Sequence, residues 1–207
     1  MIIQYGPRTT AVILQDFHTH QSNLDESSGY SLAGSFTRDL TASKIWLLAE
    51  LERIQDRFST IYMLGSWYGN MALYMTLEGR IPADKIVLVE KNQKFLNASK
   101  QILDRVGASN IEYMLADSNK LDYRQLGDSG CVINTSLTDM PGRSWFLNIP
   151  NGTLVAMQAR DQDPGVPFGS TQDIYNRFPA SEVLYHGRMG LRDPETEYTR
   201  YMVIARK

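Results

Sequence analysis

The sequence predicts an α/β fold: a three-layer, doubly wound, mainly parallel sheet that closes with a C-terminal antiparallel hairpin. Two patterns lead to this prediction. From residue 42 onward, short apolar runs alternate with helical segments, as expected when helices connect parallel strands and cover both faces of a sheet. Near the C-terminus, two apolar runs are separated by a single turn, which is typical of an antiparallel pair.

The first forty residues differ from the rest of the chain. Ser, Thr, Gly and His are scattered through residues 15–41 without sustained periodicity, and only Ala11–Leu14 is typical of a short strand. We expect residues 1–40 to form a loop-rich lead-in or lid and residues 41–207 to form the core. No repeat, low-complexity tract or linker divides the sequence, so residues 1–207 are expected to form a single domain.

The core elements follow from the spacing of the apolar residues. An amphipathic helix is predicted over Ala42–Phe58, where apolar residues recur at helical spacing between charged ones. Strands are then predicted over Thr60–Leu64, Lys85–Glu90, Asn110–Leu115, Gly130–Asn134, Gly152–Gln158, Glu182–Met189 and Tyr198–Arg206. Helices are predicted between them at Asn70–Glu78, Gln93–Val106, Gly142–Asn148 and Thr171–Phe178. Helices between parallel strands imply right-handed crossovers.

The composition excludes several classes of protein. The net charge of -2 argues against a general affinity for nucleic-acid phosphate, so we do not expect nucleic acid as a partner. No apolar run reaches the roughly 20 residues of a membrane span, and the polar N-terminus lacks a signal-peptide pattern. We therefore expect a cytoplasmic protein without a membrane partner. Cys131, the one cysteine, lies in an apolar run and is interpreted as a buried strand residue rather than a nucleophile.

The stretch Ile61–Asn70, followed by Lys85–Lys91, carries the main functional signal. A short apolar run ends at a glycine turn, a helical segment follows, and the next apolar run ends in one carboxylate, Glu90. Glycines let the backbone approach a ligand closely, and the start of a helix presents free N–H groups. A carboxylate at the tip of the next strand can accept both hydroxyl protons of a ribose. The pattern predicts a site for a nucleotide-shaped cofactor.

With Asp117 after the third strand and a closing hairpin, the pattern resembles the class I S-adenosylmethionine-dependent methyltransferases over roughly residues 42–207. The resemblance implies S-adenosylmethionine as the cofactor. In that family the first loop lies under the methionine part, the acid after the second strand binds the ribose hydroxyls, and the acid after the third strand contacts the adenine amino group. Carried over, these roles fall respectively on Gly65, Ser66 and Gly69, on Glu90, and on Asp117 with Ser118.

Two positions depart from the family pattern. Trp67 occupies the place of the middle glycine, and Met63 the place of an acid that usually supports the ammonium of the methionine part. Trp67 could pack over the cofactor as a further binding residue, or its indole could shape the loop. The competing dinucleotide interpretation fits less well, because it requires Gly-x-Gly-x-x-Gly and usually a further parallel half-sheet.

The loop after the fourth strand is the candidate floor of the reaction site. Methyl transfer is an in-line displacement, so the protein mainly aligns a nucleophile and can supply a base. Asn134 could orient a substrate amide or hydroxyl, and Asp139 could act as the base. Alternatively, Asn134, Ser136 and Asp139 cap the following short helix. The loop lacks the Asn-Pro-Pro-Tyr or Asp-Pro-Pro-Tyr signature of amino-directed nucleic-acid methyltransferases.

Histidines in the lead-in are further candidates. His18 and His20 lie two residues apart near Asp16, but no matching cluster elsewhere completes a metal site, and we predict no metal. His18 could instead be a catalytic residue that the lead-in supplies to the site, or part of a solvated loop. His186 is interpreted as structural.

Charged residues after the fifth strand and in the last strand are further candidates. Arg160 is predicted to follow the fifth strand and to open a Pro/Gly-rich loop, where it could hold a substrate carboxylate or phosphate, or could pair with Asp161 or Asp163. Tyr198, Arg200 and Tyr201 are interpreted as packing and edge residues.

The resemblance favours methyl transfer to a small-molecule acceptor. The acidic balance, the lid-like N-terminus and the absence of a basic aromatic patch agree with that acceptor class. Two alternatives stay open: a binding or regulatory protein that keeps the fold without methylation, and another transfer from the same cofactor, such as aminocarboxypropyl transfer.

Overall fold

A computed structural model describes residues 32–127, 129–140, 142–161, 168–192 and 196–207. Its strands are β1 (Phe58–Leu64), β2 (Ala83–Glu90), β3 (Ile111–Leu115), β4 (Cys131–Asn134), β5 (Leu154–Arg160), β6 (Glu182–Arg192) and β7 (Glu197–Arg206). Its helices are α1 (Leu32–Ser35), α2 (Arg38–Ile54), α3 (Asn70–Glu78), α4 (Gln93–Arg105), α5 (Ser144–Leu147) and α6 (Thr171–Arg177). A short 3₁₀ turn covers Ser118–Lys120.

The seven strands form one sheet in the order β3-β2-β1-β4-β5-β7-β6. The first five strands pair in parallel, whereas β7 runs antiparallel to both β5 and β6. The predicted mainly parallel sheet with a C-terminal hairpin is therefore confirmed.

Helices cover both faces of the sheet because the buried strands are apolar on both sides. In β2, Ile86 and Leu88 pack with α2, α3 and α4, while Val87 and Val89 pack with α5 and α6 on the opposite face. This alternation confirms the three-layer arrangement.

Cys131 is fully buried in β4, as predicted, and burial raises the pKa of its thiol, so it is no candidate nucleophile. Within the described ranges, no helix is both long and apolar enough to span a membrane.

Some predicted boundaries were wrong. Helix α2 begins at Arg38 instead of Ala42 and ends at Ile54, because Phe58 starts β1 and is fully buried in the core. Leu32–Ser35 is helical although it lies in the predicted loop-rich lead-in. The strand predicted at Ala11–Leu14 lies outside the described residues.

The C-terminal strands also differ from their predicted description. Strand β7 lies between β5 and β6, so Tyr198, Arg200 and Tyr201 are not edge residues. Arg160 is the last residue of β5 instead of the start of a loop.

The start of α2 lies at the carboxyl edge of the parallel strands, since α2 leads into β1 and runs back along the sheet. Two amide side chains anchor this region. Asn70 Nδ2 donates to the backbone oxygen of Ser35 at 2.7 Å, and Gln158 Nε2 donates to the backbone oxygen of Ser43 at 3.0 Å. The first turns of α2 are thereby fixed beside the edge where parallel sheets bind ligands.

The close packing of Gly130, in the turn before β4, against Leu126 can be tested by substitution. A Cβ at Gly130 would overlap the backbone oxygen of Leu126, whereas no described atom lies within 4 Å of a Cβ at Gly190 in β6. We expect Gly130→Ala to lower the free energy of unfolding by about 2 kcal/mol and Gly190→Ala to change it by less than about 0.5 kcal/mol. Urea unfolding of both variants measures this, and equal effects would contradict the packing.

Candidate functional site

The carboxyl ends of β1, β2 and β4 meet at one edge of the sheet, because these three strands are parallel neighbours. The chain leaves β1 through a tight loop in which Gly65 has φ of 59° and Gly69 has φ of 72°. Both values favour glycine, because a Cβ is strained in this left-handed region. Backbone hydrogen bonds hold the loop against β2 and close it on itself. Ser66 N donates to the Val89 oxygen at 3.1 Å, and Gly69 N donates to the Ser66 oxygen at 2.8 Å.

Glu90 ends β2 and ties the loop to the neighbouring strand exit. Its side chain is buried, and Oε2 accepts the Trp67 N–H at 3.0 Å. Oε1 accepts the N–H groups of Lys91 at 2.9 Å and of Asn92 at 3.0 Å. One carboxylate therefore holds three backbone donors from two separate loops.

These contacts limit what Glu90 can do for a ligand. A carboxylate has about four acceptor positions, and three are filled by the backbone. One position, on Oε2, is left for a ribose hydroxyl. This arrangement leaves fewer free acceptor positions than the two ribose hydroxyls that Glu90 is expected to bind.

Trp67 is the most strained residue of the loop. Its φ of 53° lies in the left-handed region that favours glycine. The indole packs in the loop, with its centroid 5.2 Å from the ring of Tyr68 and 6.4 Å from the ring of Phe95 in α4. Aromatic packing against α4 thus accompanies the strained backbone, which favours the loop-shaping interpretation of this side chain.

Asp117 and Ser118 follow β3 at the same edge. Asp117 is exposed, and its Oδ1 accepts the backbone N–H of Asn119 at 3.0 Å. This bond is the main cause that holds the pKa of Asp117 below its ordinary value. Ser118 is buried, and its backbone oxygen accepts the Tyr123 hydroxyl at 3.0 Å. An ionised and exposed carboxylate at this place can accept a hydrogen bond from an amino group.

The loop after β4 closes the other side of the site. Asn134 is fully buried, and its Oδ1 accepts the Ser136 N–H at 3.0 Å, which shapes the exit from the strand. A Cβ at Gly65 would lie 3.1 Å from Met140 Sδ, so this loop packs directly on the glycine loop. Asp139 is exposed. Helix α5 has Arg143 at its N-cap, so the alternative in which Asn134, Ser136 or Asp139 caps that helix is wrong.

Two buried polar atoms mark the place where the strand ends meet. Ser66 Oγ and Asn134 Nδ2 have no hydrogen-bond partner among the described residues. Burial of an unsatisfied polar atom costs about 1 to 3 kcal/mol. A polar ligand between the β1 and β4 loops would satisfy both atoms, so the chemistry of this edge fits a polar cofactor.

Of the histidine candidates, the structure describes only His186, which does not lie at this edge. His18, His20 and Asp16 lie outside the described residues. His186 is exposed in β6, with its ring 6.4 Å from that of Tyr175. In the part of the chain that is described, no group of three or more His, Cys, Asp or Glu side chains could hold a metal ion.

A buried polar cluster that the sequence analysis missed lies under the first turns of α2. Arg200 in β7 is only 5% exposed, and its Nη1 lies 3.5 Å from the backbone oxygen of Thr135. Tyr198 donates its hydroxyl to the buried carboxylate of Asp39 at the start of α2. Lys44 in α2 lies close enough for the charges of Arg200 and Asp39 to affect it.

The charges of this cluster perturb one another. Burial lowers the pKa of Lys44 to about 7, Arg200 lowers it further, and Asp39 opposes the change. Burial also lowers the pKa of Arg200. Burial raises the pKa of Asp39, but hydrogen bonds, first from Thr37 and then from Tyr198, outweigh it and keep the pKa below its ordinary value.

The sequence and the fold were compared with those of known proteins. No family model and no curated protein matches the sequence. The N-methyltransferase NodS from Bradyrhizobium japonicum WM9, in complex with S-adenosyl-L-homocysteine, matches with a TM-score of 0.63 at 12% identity, over 92% of this chain and 98% of that chain. A putative O-methyltransferase from Klebsiella pneumoniae matches with a TM-score of 0.61 at 13% identity, over 100% and 93% of the two chains.

A third solved structure, an rRNA methylase from Streptococcus thermophilus, has a TM-score of 0.51 at 15% identity and covers 83% of this chain and 99% of that chain. The chain has the class I methyltransferase fold. The identities are low, so the similarity establishes this fold, and the chemistry of the site has to be argued from its own residues.

The methyltransferase fold gives Met63 a specific meaning. Met63 is buried in the core between the sheet and the helices that cover it, at the position where the resemblance expects an acid. An ammonium group near the glycine loop would therefore lack a carboxylate from this position. Any partner for that group has to come from another part of the site.

The strained backbone at Trp67 can be tested with two truncations. Trp67→Gly and Trp67→Ala both remove the indole, but only alanine keeps a Cβ at a φ of 53°. We expect the free energy of unfolding of Trp67→Gly to exceed that of Trp67→Ala by about 1 kcal/mol. Chemical unfolding of both proteins measures the difference, and an alanine variant of equal or greater stability would show that the loop relaxes.

Proposed function

We propose that this chain is a cytoplasmic S-adenosylmethionine-dependent methyltransferase that acts on a small-molecule acceptor. The observation that supports the proposal most strongly is the position of Glu90. Its buried carboxylate joins the glycine loop to the exit of β2 and keeps one acceptor position for a ribose hydroxyl. The solved structures with this fold include one in complex with the demethylated cofactor.

The residues of the edge divide the work of cofactor binding. Glu90 accepts a ribose hydroxyl, and the exposed carboxylate of Asp117, next to Ser118, receives the adenine amino group. Gly65, Ser66 and Gly69 line the methionine part, and Trp67 holds the loop against α4. Ser66 Oγ and Asn134 Nδ2 supply polar contacts from the strand ends, which offsets the cost of leaving them unsatisfied.

Methyl transfer requires alignment above all. When bound, S-adenosylmethionine supplies the activated methyl group. The protein holds the acceptor nucleophile in line with it and excludes water. Asn134 orients the acceptor, and Asp139, exposed at the same loop, takes a proton from it. His18 stays a second candidate for that base.

The acceptor class follows from charge. The chain has a net charge of -2, whereas sequence-independent nucleic-acid binding rests on clustered lysines and arginines that neutralise phosphates. One protein of similar fold is an rRNA methylase, so RNA is the acceptor class against which the proposal has to be tested. Calorimetry with a structured RNA at low and moderate salt provides that test, and tight binding at moderate salt would contradict a small-molecule acceptor.

The products of turnover distinguish the functions that share this cofactor. We expect incubation with S-adenosylmethionine and a metabolite mixture to yield S-adenosylhomocysteine, detected by mass, in amounts proportional to enzyme. Methylthioadenosine would instead indicate aminocarboxypropyl transfer. Cofactor binding without either product from any acceptor mixture would favour a binding or regulatory protein.

The proposed hydrogen bond of Glu90 to a ribose hydroxyl can be tested separately from the bonds by which Glu90 holds the loop. We expect one of the two deoxy analogues of S-adenosylhomocysteine, 2′ or 3′, to bind roughly 5- to 150-fold more weakly than S-adenosylhomocysteine itself. The reason is that one ribose hydroxyl fills the remaining acceptor position of Glu90, and loss of that hydrogen bond costs about 1 to 3 kcal/mol of binding free energy. In Glu90→Ala that preference should disappear. Calorimetry of all three ligands measures it.

Glu112→Ala is the matched control, because Glu112 is a carboxylate of the neighbouring strand β3 that pairs with Lys85 at 2.5 Å. This variant should keep the wild-type preference between the ligands. An unchanged preference in Glu90→Ala would place the ribose elsewhere, whatever the change in overall affinity.

A further inference from the structure

We propose that Arg200 and Lys44 form an anion subsite that receives a carboxylate or phosphate group of the methyl acceptor. The proposal rests on the proposed function for the identity of its ligand as an acceptor. The site itself rests on the buried polar cluster under α2, which the binding of the cofactor leaves unused.

The guanidinium of Arg200 is the main reason. Arg200 is 5% exposed, and its Nε has no hydrogen-bond partner among the described residues. The side-chain hydrogen bond that it makes within the described chain is a long one, from Nη1 to the Thr135 oxygen at 3.5 Å. A buried cation is costly without a close partner, and the described residues supply none to Nε, so an anion at this place would be favoured.

The nearby carboxylate of Asp39 does not fill this need. It already accepts the hydroxyl proton of Tyr198. The charges that act on Arg200 are those of Arg160, Asp39 and Asp139, and Arg200 and Asp39 also act on Lys44. Among these described groups, three are basic and two are acidic when Lys44 is protonated.

The location suits an acceptor. Arg200 and Arg160 are partners in the register between β7 and β5, at the carboxyl end of β5. Arg200 also reaches Thr135, directly after Asn134, so the cluster adjoins the loop proposed to orient the acceptor.

Lys44 gives the subsite a dependence on pH. Its pKa of about 7 means that its amine is partly protonated near neutral pH. A bound anion favours the charged form, so anion binding above pH 7 should take up a proton. The described charged groups around it are Asp39, Asp139, Arg160 and Arg200; the pKa of Asp39 lies below its ordinary value, and burial raises the pKa of Tyr198.

The probe is inorganic sulfate, which does not itself titrate near neutral pH. Calorimetric titration of the whole chain saturated with S-adenosylhomocysteine should show sulfate binding that weakens as the pH rises from 6 to 8. We expect Arg200→Gln to weaken it by about tenfold or more. Arg206→Gln, the same change at the opposite end of β7, should leave it unchanged.

Lys44→Gln should abolish the pH dependence and the proton uptake, measured by titration at pH 8 in two buffers of different ionisation enthalpy.

The stability of the variants separates a subsite from a structural role. Arg200→Gln removes a buried cation that has no close partner in the described ranges, so its midpoint of urea unfolding should equal or exceed that of the wild type. A lower midpoint with unchanged sulfate affinity would assign Arg200 to the fold and overturn the proposal.

Two further outcomes would also overturn it. One is the absence of sulfate binding in the wild type. The other is competition between sulfate and S-adenosylhomocysteine, which would assign the cations to the carboxylate of the cofactor. If S-adenosylhomocysteine fails to bind at all, the proposed function fails, while the sulfate titration of the unsaturated chain still decides whether Arg200 and Lys44 hold an anion.

Discussion

The carboxylate of Glu90 is the interaction on which the candidate site depends. Neighbouring parallel strands bring their carboxyl ends to one edge, but each exit loop is free to take its own path. Glu90 removes that freedom, because its two oxygens bind N–H groups of the loop after β1 and of the loop after β2. Hydrogen bonds to a carboxylate are stronger than those between neutral groups, so a single side chain sets the shape of the cradle.

That shape has a conformational cost at Trp67. The N–H that Glu90 binds belongs to a residue whose φ is 53°, a value that is costly for any side chain with a Cβ. The indole offsets part of this cost by packing against Tyr68 and Phe95. The loop thus has a left-handed backbone at a position where a tryptophan stands.

The edge of the sheet contains two different kinds of polar surface. Toward β2 and β3 it presents the carboxylates of Glu90 and Asp117, which suit hydroxyl and amino groups. Toward β5 and β7 it presents Arg160 and Arg200 next to the start of α2, which suit an anion. Asn134 lies on β4 between the two regions. The two regions of the edge therefore differ in the charge of the side chains that they contain.

Much of the fold was readable from sequence because its signals are local. The predicted bounds of α3 are confirmed because Gly69 and Gly79, at its two ends, take left-handed conformations that few other residues accept. The alternation of buried strands and helices likewise predicted the parallel sheet. The role of Glu90 at the end of β2 follows from the same pattern, although its three backbone bonds could be seen only in the structure.

The start of α2 and the cationic cluster were missed for a shared physical reason. The buried face of the first turns of α2 is polar, with Asp39, Thr41 and Ser43 in place of apolar residues, so the hydrophobic pattern does not extend over them. Asp39 accepts a hydrogen bond from Tyr198 and the backbone oxygen of Ser43 accepts one from Gln158, both more than a hundred residues away in sequence. Sequence periodicity reports burial of apolar groups, and it carries no signal for a polar cluster assembled by sheet pairing.

The most direct test of the account is a titration of the ¹⁵N-labelled chain with S-adenosylhomocysteine, followed by NMR. If the cofactor lies against the loop that Glu90 holds, the largest shifts should fall on the backbone amides of Ser66, Trp67, Gly69, Lys91, Asn92 and Asn119. The amides at the opposite edge of the sheet, such as those of Ala83 and Gly152, should not move. Saturable shifts confined to that opposite edge, or no shifts at millimolar ligand, would contradict the central claim.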